Sequence, residues 1–234
     1  MSDANQSTAP EGQVVVSAAT ARRLARDVRE LQKSPLDDIG VHYVHDASHM
    51  LRGRALIIGP RDTPYEGGYF LFSFEFPPNY PHAPPRVVYH TNDGHTRMNP
   101  NLYRNGKVCL SILNTWRGDQ WTGCQTIRSV LVSICGCVFT DAPLLNEPGI
   151  TRSYKDYEKY NEIVRHQTFR IGIIDMLTRP DIEKQFSELV PTMRAHFARS
   201  HESILERLER ICDEGHLPGA LYVTSIYGMK VVVD

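Results

Sequence analysis

The first regular feature of the chain is a helical spacing of apolar residues that begins after Ser17. These residues recur at three- and four-residue steps, which places them on one helix face: Ala21, Leu24, Ala25, Val28 and Leu31. Ser34-Pro35 predicts the end of this helix, because the residue before a proline disfavours helical backbone. The other face is basic, with Arg22, Arg23, Arg26, Arg29 and Lys33. Such a face is either a solvated helix surface or a docking surface for an acidic partner, and the spacing leaves both open.

Residues 39–90 alternate short apolar runs with turn signals, which predicts a meander of antiparallel strands. The candidate strands are residues 39–44, 54–58, 69–76 and 86–90. At the end of the third run Phe alternates with Ser and Glu, the period of a half-buried strand. The segment between the third and fourth runs is rich in proline and predicts a rigid loop.

Helical spacing returns in the second half of the chain. An apolar stripe from Ile127 to Val138 predicts one helix, and residues 154–177 predict a longer one. The longer pattern places these apolar residues on one side: Tyr157, Tyr160, Val164, Ile171 and Ile174.

The last part of the chain predicts an extension beyond this point. We expect a helix over residues 182–197 with a kink at Pro191, a second helix over residues 204–211 that ends near Gly215, and a hairpin over residues 221–233. The apolar faces of these helices must be covered either by the rest of the chain or by a partner.

Length and composition fit one α+β domain with this extension. The 234 residues, 41% of them hydrophobic, are enough for a sizeable core. We expect a disordered polar tail over residues 1–14, a core over residues 15–178 and an extension over residues 179–234.

Net charge and cysteine spacing limit which partners and which cellular compartment we expect. The net charge is −1, which gives no electrostatic argument for nucleic acid or for an anionic membrane. The five cysteines lack the paired spacing of a disulfide framework or of a zinc site, so we expect no metal and a reducing compartment, cytoplasmic or nuclear. We also expect neither a targeting segment nor a membrane-spanning run.

The chemically informative stretch is residues 99–113, which leads from a polar turn to Cys109 and a short apolar run. Asn105-Gly106 favours a tight turn, because both residues tolerate positive φ. A free cysteine is most often a small buried apolar residue, and the alternative is a nucleophile presented by this turn.

The order of motifs resembles the ubiquitin-conjugating enzymes. Asn-Pro-Asn at 99–101 and Val-Cys-Leu at 108–110 match the family's active-site pattern, with Cys109 eight residues after Asn101. The upstream turns, aromatic strand and proline-rich loop arrive in the family's order, so the resemblance runs from about Ala18 to Pro148. Asn-Glu-Pro-Gly at 146–149 and the following segment are most similar to the large Z-type members, which carry a helical C-terminal extension.

The resemblance implies the ubiquitin-conjugating (UBC) fold: an N-terminal helix, a four-stranded antiparallel meander, an active-site loop and then helices. It also implies that Cys109 accepts ubiquitin or a ubiquitin-like modifier as a thioester, which a substrate lysine then attacks. Asn101 resembles the residue that stabilises the oxyanion or the loop. Glu147 stands where an acidic residue is usual, and it either activates the lysine or is a solvated loop carboxylate. Two positions depart from the pattern: Asn99 replaces the usual His, and Ser111 stands where many relatives carry Asp.

Partners follow from the same resemblance. Arg22, Arg23 and Arg26 correspond to the face that docks the activating enzyme, which uses the ATP, so no resident cofactor is expected. His82, Thr122 and Gly123 stand in the two loops that dock ligases, where relatives often carry Phe and Ser-Pro-Ala, so ordinary ligase docking is expected to be weakened. Protein substrates, and a ligase, complete the expected partners.

Two other classes of function stay open at this point. One is a non-catalytic binding variant of the fold, although such variants typically lack the cysteine. The other is an adaptor with a weak or inactive site that acts through its C-terminal helices.

Overall fold

The computed structural model describes residues 16–213 and 221–232. The tail expected over residues 1–14 and the helix end expected near Gly215 lie outside the described residues. Within the described part of the chain, no helix combines the length and the apolar composition needed to cross a membrane.

Helix α1 spans Ala18–Lys33, as its apolar spacing predicts. The side chain of Ser17 caps it by accepting a hydrogen bond from the backbone N–H of Thr20 at 3.0 Å. Leu24 and Leu31 are buried on the predicted apolar face.

Four strands form one antiparallel sheet in the order β1-β2-β3-β4, the predicted meander. They are β1 Val41–His45, β2 Arg52–Ile58, β3 Tyr69–Glu75 and β4 Arg86–Tyr89. The first strand begins later than residue 39, because Asp37–Ile39 forms a 3-10 turn and Gly40 adopts a φ of 72°.

The sheet is covered by apolar side chains on both faces. One core lies between α1, helix α2 (Ile127–Val138), helix α3 (Tyr157–Gln167) and the face of β3 that carries Phe70, Phe72 and Phe74. A second core lies on the opposite face, where Tyr69 and Leu71 meet residues of the C-terminal helices. The strand therefore alternates between two buried faces over its first half rather than between a buried and a solvated face.

The predicted helix over residues 154–177 is not a uniform α-helix. After α3 the chain forms a π-helical segment, Thr168–Asp175, and then the short helix α4, Met176–Thr178. A π-turn contains more residues than an α-turn and shifts the helical phase. Ile173 is therefore buried and Ile174 is 58% exposed, which corrects the expectation that Ile174 lies on the apolar side.

The extension also differs from the prediction in where its helices break. Helix α5 spans Pro180–Gln185, and a continuous helix α6 spans Val190–Asp213 where two helices were expected. Pro191 does not kink a helix but lies in the first turn of α6, where its missing N–H would have no helical acceptor. The apolar faces of these helices are covered by the sheet of the same chain, through residues such as Phe186 and Met193.

A two-stranded antiparallel sheet follows, with β5 Leu221–Val223 and β6 Lys230–Val232. A 3-10 turn, Ile226–Gly228, joins the strands. This C-terminal hairpin packs on the first core through Met229 and Val231. The predicted α+β arrangement of an N-terminal helix, a four-stranded antiparallel meander and then helices is confirmed, while the domain boundary near residue 178 stays a prediction.

Candidate active site

The loop that carries Cys109 is attached to the edge of the sheet at β4. The backbone N–H of Tyr89 donates to the carbonyl of Gly106 at 2.8 Å. Gly106 has a φ of 84°, and a Cβ there would lie 2.9 Å from the carbonyl oxygen of Tyr89, so glycine is required at this turn. The turn returns the chain so that Cys109 lies opposite Asn101. Cys109 is 1% exposed.

Asn101 and Cys109 are joined by two hydrogen bonds. The Cys109 N–H donates to the Asn101 carbonyl at 2.9 Å. The Asn101 side-chain amide donates to the Cys109 carbonyl at 2.6 Å. Asn101 is itself buried, so its amide holds the backbone that carries the sulfur. The sequence-predicted pair is thus brought together.

Asn99 lies at the centre of an amide network and is fully buried. Its Oδ1 accepts from the N–H of Asn101 at 2.8 Å and from the side chain of Asn146 at 3.3 Å. Its Nδ2 donates to the hydroxyl of Tyr65 at 2.9 Å and to the carbonyl of Val138 at 2.8 Å. The network therefore connects the Cys109 loop to the loop of Glu147, the next residue after Asn146.

Glu147 follows the 3-10 turn Pro143–Asn146 and is half-buried. Its carboxylate accepts a hydrogen bond from the hydroxyl of Tyr227, in the C-terminal hairpin. Burial and then this hydrogen bond raise the pKa of Tyr227 well above its ordinary range, so the hydroxyl stays protonated as a donor.

Arg97 is a component of the site that sequence reasoning missed. Its guanidinium donates to the carbonyls of Asn99 at 3.1 Å and Pro100 at 2.7 Å. It also lies over the ring of Tyr103, 3.6 Å from the centroid, and 5.1 Å from the ring centroid of Tyr227. No motif marks this residue in the sequence, since one of its aromatic partners is distant along the chain.

Thr115 was also missed. Its hydroxyl oxygen accepts from the N–H of Leu110 and donates to the carbonyl of Val108, at 2.9 and 2.8 Å. It fixes the backbone on both sides of Cys109. Ser111 begins a 3-10 turn next to it, Ser111–Leu113, and is partly exposed.

The residues expected to dock a ligase lie in two neighbouring loops. His82, Thr122 and Gly123 are exposed, and the Trp121 indole donates to the carbonyl of Pro81 at 2.8 Å, which joins their two loops. Trp121 itself is buried.

Arg23 is the residue of the basic face that is not free to dock. Its side chain is 10% exposed, pairs with Asp27 at 2.8 Å and donates to the carbonyls of Gly123 and Gln125. It therefore ties α1 to the Trp121 loop. Of the three arginines expected to dock, Arg22 and Arg26 are exposed, and their docking stays a prediction.

Metal ligands do not cluster in the described part of the chain, where no group of three or more His, Cys, Asp or Glu residues could hold an ion. The cysteines whose side chains are described are free thiols: Cys109, Cys124, Cys135 and Cys137.

Comparison with known proteins finds a family and relatives of similar sequence. A family model described as "Ubiquitin-conjugating enzyme" matches residues 23–170. The chain belongs to this family. The matched range of this ubiquitin-conjugating domain contains the whole Asn99–Cys109 loop and Glu147, but not the C-terminal hairpin.

The relatives include Z-type enzymes, which confirms the predicted resemblance. The chain is 42% identical over 201 residues to ubiquitin-conjugating enzyme E2 Z of Xenopus tropicalis, covering 84% of this chain and 61% of that protein. It is 49% identical over 158 residues to the human E2 Z, covering 66% of this chain and 44% of that protein. The chain thus spans less than two thirds of the length of these relatives.

A more distant relative carries a similar segment in a larger protein. The chain is 36% identical over 206 residues to the human dual E2 ubiquitin-conjugating enzyme/E3 ubiquitin-protein ligase BIRC6, covering 82% of this chain and 4% of that protein.

Proposed function

We propose that this protein accepts ubiquitin or a ubiquitin-like modifier from an activating enzyme and passes it to a substrate lysine or to a ligase. The observation that carries the proposal is the pair of hydrogen bonds between Asn101 and Cys109, which fixes the backbone that carries this thiol in a loop of the family's spacing. A thioester carrier requires one nucleophilic thiol in a defined place.

The first step is a transthiolation. The Cys109 thiolate attacks the carbonyl carbon of the modifier's thioester, a new C–S bond forms, and the thiolate of the activating enzyme leaves. Because Cys109 is 1% exposed, its sulfur must become more accessible during this step.

The second step is aminolysis. The lysine amine attacks the same carbonyl carbon, the C–N bond forms, the amine loses its proton and Cys109 leaves as a thiolate. Asn101 stabilises the loop and the oxyanion, and Glu147 orients the amine or accepts its proton. Ser111 carries no charge, so Glu147 is the acidic group that we assign to this step.

Partners, compartment and cofactors belong to the same proposal. Arg22 and Arg26 offer exposed positive charge to an activating enzyme, and His82 with Thr122 and Gly123 forms the surface left for a ligase. ATP is used by the activating enzyme, and no resident cofactor or metal is needed. The free thiols agree with the cytoplasm or the nucleus.

A charging assay tests the proposal. The protein is mixed with ATP, ubiquitin or a ubiquitin-like modifier and a panel of activating enzymes, and products are separated with and without thiol reductant. We expect one modifier-sized shift that is lost on reduction and absent in Cys109→Ala, while Cys124→Ala, the matched control at an exposed thiol, still loads. No shift with any pair, or a shift that persists in Cys109→Ala, would favour the adaptor instead.

Asn101→Ala separates the two steps. We expect loading of Cys109 to persist and discharge to free lysine to slow by about 10²-fold, the usual order for a lost oxyanion donor. Single-turnover discharge of purified thioester measures this rate. Equal discharge rates for the variant and the wild type would remove Asn101 from the mechanism.

A further inference from the structure

The C-terminal hairpin is attached to the active-site loops, although it is the last described part of the chain. Met229 is buried in the first core, and its sulfur accepts from the N–H of Arg97 at 3.3 Å. The guanidinium of Arg104 donates to the carbonyl of Tyr227 at 2.7 Å. Both arginines belong to the segment around the Asn-Pro-Asn motif, so the hairpin contacts the loop that carries Cys109.

Asp156 anchors the turn of the hairpin. Its Oδ2 accepts from the N–H and the hydroxyl of Ser225, at 2.7 and 2.5 Å, and from the N–H of Ile226 at 3.3 Å. These hydrogen bonds hold the pKa of Asp156 below its ordinary value. A turn fixed by three bonds to one carboxylate presents its next residue, Tyr227, in one orientation.

Tyr227 has a left-handed backbone with a φ of 58°, which is uncommon for a residue with an aromatic side chain. Such a conformation persists where surrounding contacts determine it. Here those contacts are the Arg104 hydrogen bond and the packing of the ring against Tyr160, at 6.1 Å between centroids. The outcome is that the ring lies beside Arg97 and the hydroxyl reaches Glu147.

We propose that Tyr227 is a positioning residue for transfer to lysine, acting through Glu147 and Arg97. Its hydroxyl fixes the carboxylate of Glu147, and its ring supports the guanidinium that holds the carbonyls of Asn99 and Pro100. Fixing a carboxylate before reaction removes the cost of ordering it during the reaction. This inference rests on the proposed function, because it assigns Glu147 to the lysine step.

Discharge to two different acceptors, lysine and hydroxylamine, distinguishes this role of Tyr227 from a general effect on the thioester. A lysine amine has an ordinary pKa of about 10.4 and is mostly protonated at neutral pH, so its attack depends on an oriented acidic group. Hydroxylamine is largely unprotonated under the same conditions and does not need that group. Loss of Glu147 positioning should therefore slow discharge to lysine and leave discharge to hydroxylamine unchanged.

Tyr227→Phe is the test variant, because it removes the hydroxyl and keeps the ring beside Arg97. We expect unchanged loading of Cys109, about a tenfold slower discharge to lysine, and a hydroxylamine rate within about twofold of wild type. Tyr43→Phe is the matched control. It removes a hydroxyl bonded to His45 at 2.8 Å on β1, at the opposite edge of the sheet from β4, and should change neither rate.

A double-mutant cycle with Glu147→Gln shows whether Tyr227 acts through Glu147. We expect Tyr227→Phe to have no further effect on lysine discharge once Glu147 is replaced. Any of three results would overturn the proposal. These are effects on the lysine discharge rate that multiply in the double variant, an equally large loss of the hydroxylamine rate, and an unchanged lysine rate in Tyr227→Phe.

Hydrogen exchange provides a readout that does not depend on activity. Amides of residues 143–149 should exchange faster in Tyr227→Phe than in wild type, and not in Tyr43→Phe. If wild-type protein fails to load Cys109, the proposed function is wrong. The exchange result then shows by itself whether the Tyr227 hydroxyl holds the Glu147 loop. Unchanged exchange over residues 143–149 in Tyr227→Phe overturns the inference in either case.

Discussion

At the scale of single residues, Asn99 shows how a departure from the family pattern is accommodated. An asparagine side chain offers two donors and two acceptor lone pairs, whereas a neutral histidine offers one donor and one acceptor. Asn99 uses its full capacity on Tyr65, Val138, Asn101 and Asn146. The asparagine therefore makes more hydrogen bonds than the usual histidine could make, and one of them reaches the Glu147 loop.

We predict that Asn99→His destabilises the fold even though it restores the family's usual residue. The variant leaves buried partners unpaired, each at about 1–3 kcal/mol, so the free energy of unfolding should fall by at least that amount. Chemical denaturation measures it. Asn79→His, at an exposed residue of the proline-rich loop, is the control and should stay within about 0.5 kcal/mol of wild type. An unchanged midpoint for Asn99→His would contradict the network.

At the scale of elements, the extension uses its apolar surface inside the molecule. Phe186, at the end of α5, is fully buried. Its ring packs against that of His90, the residue after β4, with ring centroids 5.1 Å apart. Leu56, Tyr69 and Leu71 supply the sheet side of the same core. The outer face of the sheet is therefore covered by the chain itself, which weakens the case for an adaptor that binds partners through these apolar helix faces.

We predict that Phe186→Ala lowers the free energy of unfolding by about 3–5 kcal/mol, the usual cost of emptying a buried aromatic site. Leu205→Ala is the control on α6, because Leu205 is 55% exposed, and should change stability by less than about 0.5 kcal/mol. Urea denaturation compares the two. Similar values for both variants would show that the extension does not rest on the sheet.

At the scale of the whole molecule, three partly buried histidines tie stability to pH. Burial lowers the pKa of His45, His90 and His196, and the positive charge of Arg179 adds to this effect at His90. The unfolded chain then binds more protons than the folded chain just below pH 6.5. Their stabilising contribution is complete above that ordinary value and is lost as the pH falls through the lowered folded values.

We predict that the melting temperature falls between pH 7 and pH 5. Thermal unfolding across this range measures the slope. His90→Gln keeps a polar group for Ser73, which lies 2.8 Å from the ring nitrogen, but cannot titrate, so its slope should be shallower. His201→Gln replaces an exposed histidine and should keep the wild-type slope. Identical slopes in wild type and His90→Gln would exclude His90 as a contributor.

The sequence by itself determined the local elements and the candidate nucleophile. The apolar spacing of α1, the strand periods and the turn at Asn105-Gly106 depend on residues close along the chain, so their patterns can be read directly. The spacing between Asn101 and Cys109 carried the family resemblance for the same reason.

Only the tertiary structure decided how distant segments complete the site. Arg97 meets Tyr227, and Tyr227 meets Glu147, across long separations for which a single sequence has no periodic signal. Tertiary packing also accompanies the phase shift of the π-helical segment. Gly172 of that segment lies close to Gly68, the residue just before β3. Arg23 is predicted on a docking face because its spacing along the chain places it on the basic face of α1. Its contacts with the Trp121 loop, which the spacing does not show, leave it mostly buried.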